Sequence, residues 1–86
     1  MSMVYDEVYI STMREIDVCR KSIRKLRKTI ESMERKYELK TPEFIARVDE
    51  ESMRDHKDYF TWHTSYKGLK DWEERLREFH EILERY

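Results

Sequence analysis

The chain has 86 residues, one glycine, one proline and one cysteine, and 43% of it is charged, yet the charges nearly cancel to a net -1. That length holds one small domain and excludes two, and so little Gly and Pro excludes a sheet built on tight turns in favour of helix. A single cysteine excludes an intrachain disulfide and suits a reducing, cytoplasmic setting; no signal-peptide pattern opens the chain and no apolar run is long enough to span a membrane.

The first predicted element runs over about residues 3–38. Written as a heptad, Tyr9, Ile16, Ile23, Ile30 and Tyr37 take position a, and Thr12, Cys19, Leu26 and Met33 take position d. A seam of period 3.5 predicts a helix packed along a partner helix. Val8 and Met13 flank the seam. Cys19 lies on it, where a free cysteine is a small buried apolar residue. Residues 20–28, "RKSIRKLRK", carry six bases and no acid: Arg20, Lys21, Arg24, Lys25, Arg27 and Lys28. They lie outside the seam, as a positive band on an exposed side. Residues 1–40 hold 10 basic and 7 acidic side chains, and residues 41–86 hold 8 and 12, so the halves carry opposite net charge. Mutual neutralisation, within the chain or between copies, is the first expectation for that band.

The periodicity breaks at "ELKTPEFIARVDEESMRDHKD". Thr41 is expected to N-cap a short helix over about 42–52, with Pro42 at its first position and Glu43 at the positive end of its dipole. A helix this short must dock through Phe44, Ile45 and Val48. Asp58 is then the expected N-cap of a last helix over about 58–85.

In that helix Trp62, Tyr66, Leu69, Trp72, Leu76, Phe79, Leu83 and Tyr86 form a second seam of period near 3.5, with Tyr59 one turn earlier. Gly68, inside the helix, predicts close approach of a neighbouring backbone or ring. Phe60 stands off the seam and shares a thin second face with Ile82. It is expected to pack under the short helix against Phe44 or Val48; otherwise it is an exposed anchor for another protein, as large aromatics often are.

Motifs for chemistry are absent. His56, His63 and His80 are the only histidines, and no HExxH, ExxH or cysteine pair accompanies them, so no metal or cofactor is expected. One glycine cannot build a phosphate-binding loop. No catalytic residues are predicted.

Lys36-Tyr37, Thr41, Glu43-Phe44, Asp58-Tyr59-Phe60, Trp62 and Tyr66 resemble a family of small, mostly uncharacterised archaeal and bacterial helical-hairpin proteins encoded beside toxin-like proteins. The likeness spans about residues 31–76. It implies an antitoxin-like protein that binds a partner and catalyses nothing.

The expected fold is all-α: an antiparallel helical hairpin with a short connecting helix. Two helices of this size bury too little to be stable alone, so two hairpins are expected to pair as a homodimeric four-helix bundle. The expected function is a protein-interaction module whose partner-binding candidates are Tyr59, Phe60, His63 and Phe44. The alternatives are a structural homo-oligomeric bundle, or a nucleic-acid binder acting through residues 20–28; slight overall acidity speaks against the last.

Overall fold

A computed structural model describes residues 3–85 as four helices with no strand among them: α1 (Met3–Tyr37), α2 (Thr41–Arg47), α3 (Glu50–Asp55) and α4 (Lys57–Glu84). α1 and α4 run antiparallel along a rod of 54 × 19 × 18 Å. The hairpin expected from the two seams is therefore the fold. The connector differs from expectation in detail.

The single helix expected over 42–52 is two helices. Val48 leaves α2 in an extended conformation, which suits its β-branched side chain. Asp49 then starts α3: its carboxylate accepts from the Ser52 backbone N–H at 2.7 Å, an N-cap bond that also holds the Asp49 carboxyl below the usual carboxylate range.

The two expected caps are also reassigned. Thr41 lies inside α2, and Lys40 holds the cap position without a side-chain bond. The cap comes from α1: one carboxylate oxygen of Glu34 accepts from the Thr41 N–H at 2.8 Å and from its hydroxyl at 3.0 Å. His56 takes the cap of α4, its Nδ1 accepting from the Tyr59 N–H at 3.4 Å. Asp58, the second residue of the helix, instead bonds to α1.

Between α1 and α2 the chain reverses at Glu38, a non-glycine residue with φ of 50°. The Leu39 N–H reaches back to the Glu34 carbonyl at 3.2 Å, which satisfies one of the last open carbonyls of α1.

The core is concentrated at this end. Ile30, Phe44, Met53 and Trp62 are buried together, with Met33, Tyr37, Leu39, Ile45, Val48, Tyr59, Tyr66 and Leu69 packed around them. Burying each of the four is worth about 1.5–3 kcal/mol. Away from the reversal, the buried side chains among the described residues come from α1: Thr12, Ile16, Cys19 and Ile23. Their neighbours on α4, Trp72, Leu76, Phe79 and Leu83, stay half-buried, because a pair of helices covers only one side of each seam.

Gly68 of α4 is level with Leu26 of α1, whose Cδ1 would lie 3.4 Å from an added Cβ. Arg27 is level with Glu73 through an ion pair of 3.2 Å. Extended along both helices, these registers set Glu84 level with the stretch from Ile10 to Ile16. The first turns of α1 therefore run past the end of α4.

Candidate interaction surfaces

At the closed end of the hairpin the aromatic residues are committed to one another. Phe44 and Trp62 are both fully buried and stack face to face, with ring centroids 3.9 Å apart. The Trp62 indole N–H donates to the Thr41 hydroxyl oxygen at 2.9 Å, and that hydroxyl donates to Glu34. The relay joins α4, α2 and α1 and leaves the buried indole satisfied. Tyr37 donates to the Asp58 carboxylate at 2.6 Å, and Lys36 binds the same oxygen at 2.5 Å. The Lys36 and Tyr37 bonds hold the Asp58 carboxyl below its ordinary range and push the Lys36 ammonium up.

Of the four side chains expected to meet a partner, Phe44 is thus core and offers no surface. Tyr59 is half-buried, edge-on to Phe44 at 5.3 Å and stacked on His56 at 3.9 Å. His63 is half-buried beside Phe60. Phe60 is 51% exposed and is no part of the cluster that holds Phe44 and Val48, contrary to the packing expected of it. The reason is geometric: Trp62, two residues on, occupies the place against Phe44. Phe60 rests in a shallow groove with Met53, His63 and Thr64, rimmed by Glu50, Arg54 and Lys67.

The larger apolar surface lies at the open end. Val8, Tyr9, Ile10, Met13 and Val18 are all between 42% and 49% exposed. Tyr9, Ile10, Met13 and Val18 line one open groove with Arg14 and Asp17. Of these residues the heptad places Tyr9 on the seam, where it is expected to be covered, and Val8 and Met13 beside it; it does not single out Ile10 and Val18. The signal for the others is present: residues 8–19 are apolar around most of the helix circumference, which is the pattern of a helix covered on more than one side.

The basic band is exposed along α1. Arg27 is bridged to Glu73 of α4, and Lys21 to Asp17 one turn back at 2.9 Å. Arg20, Arg24, Lys25 and Lys28 form no ion pair with the described residues. Neutralisation by α4 reaches one of the six.

The chain matches no known protein family, curated protein or solved structure.

Cys19 is fully buried, and burial, aided by the Glu15 carboxylate, pushes its thiol further from ionisation. Among the described residues no three His, Cys, Asp or Glu side chains gather as metal ligands would, and no helix is long and apolar enough to cross a membrane. The arrangement offers shape, apolar area and fixed charge.

Proposed function

We propose that this protein is a non-catalytic helical interaction module that docks another polypeptide on the open end of its hairpin. The observation that carries this is the exposed apolar groove of Tyr9, Ile10, Met13 and Val18 on a helix that outruns its intrachain partner. Apolar residues gathered in one patch and rimmed by charge mark a contact surface. The antitoxin-like resemblance supports the same class of function, since such proteins act by binding. The closed end contributes rigidity, and Phe60 adds a smaller second contact.

The α1 seam from Thr12 to Ile23 is buried within one chain, so a homodimeric four-helix bundle would join through faces outside that seam.

A photo-crosslinking residue at Met13, in cells that make the protein naturally, tests the reading. The expected result is a protein conjugate through position 13 and none through position 81, an exposed site on the charged side of α4. No conjugate at position 13 overturns it.

A further inference from the structure

We propose that the outward face of α1 joins two copies of this chain, antiparallel about a two-fold axis between Glu15 and Ile16, so that Arg14 of each copy meets the partner subunit's Asp17. The inference rests on the docking surface described above and names its occupant.

The face comes first. At about 100° per residue, Glu7, Ile10, Arg14, Asp17, Val18 and Lys21 lie on the side of α1 opposite the buried stripe of Thr12, Ile16 and Cys19. Met13 and Arg24 border it. Ile10, Met13 and Val18 are nearly half exposed there. No part of α4 can cover them, because α4 lies against the other side.

Area argues for an occupant of matching size. The chain exposes 6784 Å², where a compact monomer of this length exposes about 5,500 Å². The excess, roughly 1,200 Å² by that scaling, follows from the rod shape of 54 × 19 × 18 Å, and a second rod laid along the first returns part of such surface from water, about 800 Å² a side in a standard interface.

Charge selects the occupant and its register. A two-fold contact requires the same patch to complement itself. With the axis between Glu15 and Ile16, Arg14 lies opposite the partner subunit's Asp17, and Glu7 opposite the partner subunit's Arg24. Met13 packs on the partner subunit's Val18 between these pairs, and each pair occurs twice. Lys21 already holds one oxygen of Asp17 at 2.9 Å, and a carboxylate has a second oxygen to offer an arginine. Other registers fail this test. A slip of three residues sets Arg14 opposite the partner subunit's Arg14. A slip of four the other way sets it opposite the partner subunit's Lys21. Parallel helices in register would align every like charge, a costly juxtaposition. The proposed register also lays the start of the basic band over the partner's acidic first turns, so part of the band is neutralised by the second copy.

Sedimentation equilibrium of the full chain tests the contact, with circular dichroism to confirm folding. The wild type is expected to dimerise. Arg14→Asp and Asp17→Arg each bring like charges together and should raise the dissociation constant about tenfold or more. The double variant R14D/D17R restores opposite charges and should recover most of the dimer. A mixture of Met13→Cys and Val18→Cys chains should form a disulfide-linked dimer on mild oxidation, and neither chain alone should. A wild type that stays monomeric up to roughly 100 µM, where even a weak specific dimer would register, overturns the proposal. So does a dimer indifferent to both single charge changes. The crosslink at Met13 separates the two levels: a conjugate of twice the chain mass supports both, and a conjugate with a different protein overturns only the second copy. No conjugate at all overturns the docking surface itself.

Discussion

Thr41 does three things with two groups. Its backbone N–H and its hydroxyl both donate to Glu34, and the same hydroxyl oxygen accepts from the indole of Trp62. Thr41→Val keeps the shape and removes both hydroxyl bonds, which leaves a buried indole N–H without an acceptor. The expected cost is about 1–3 kcal/mol, read as a lower urea midpoint with an unchanged slope. Thr41→Ser keeps the hydroxyl and should recover most of that loss. The sequence marked Thr41 as a cap by its place before Pro42, and the position is indeed a helix start. It could not reveal that the capping carboxylate arrives from Glu34, because that bond needs the reversal at Glu38 to exist first. Trp62 was legible as core from its period. Its stacking partner Phe44 was legible as an apolar residue on a docking helix, and Phe60 was misplaced because only one ring fits against Phe44.

At the scale of elements, glycine stands where α4 does not need it and is missing where α1 would use it. Gly68 sits mid-helix with no left-handed backbone, and its nearest neighbour is the flexible tip of Leu26 at 3.4 Å. Gly68→Ala should therefore stabilise the protein by about 0.5–1 kcal/mol, provided that the Leu26 methyl gives by a few tenths of an ångström. Glu38 holds the left-handed position that ends α1, where a side chain costs about 1–2 kcal/mol. Glu38→Gly should relieve most of that strain, less what a freer unfolded chain takes back. Thermal melts of the two variants, alone and together, check both; the sites are distant enough for their effects to add. The long helices were readable because each carries four or more turns of one period. The division of the connector was not, since six and seven residues hold too few turns to establish a period, and its caps depend on tertiary contacts.

For the molecule as a whole, the two long helices are tied at the closed end by Lys36, Tyr37 and Asp58. The Lys36 and Tyr37 bonds hold the folded Asp58 carboxyl below the 3.8 of a free aspartate. A depressed carboxyl contributes stability that is present above that unfolded value and is lost as pH falls through the lower folded one. Lys36, raised above 10.5 by the same contact, contributes stability that is present below 10.5 and is lost as pH rises through its higher folded value. Asp58→Asn should thus flatten both limbs of a plot of melting temperature against pH, and change the acid limb only below about pH 4. Equal slopes in the variant and the wild type would contradict the tie. Both groups are exposed enough that salt should blunt the effect.

The concentration of aromatic packing at one end also sets an order in time. Trp62 and Thr41 are 21 residues apart in sequence, while Arg27 and Glu73 are 46 apart. Each doubling of a loop adds about 0.6 kcal/mol to the entropy of closing it, so contacts beside the reversal form at the least cost, and they are also the most favourable. Folding is expected to begin at the turn and zip toward the open end, and unfolding to travel the opposite way. Trp62 would then report the first event in refolding and Trp72, further along the same helix, a later one. The end that closes last is the end that carries the apolar groove, so the proposed partner would meet the part of the fold that forms last.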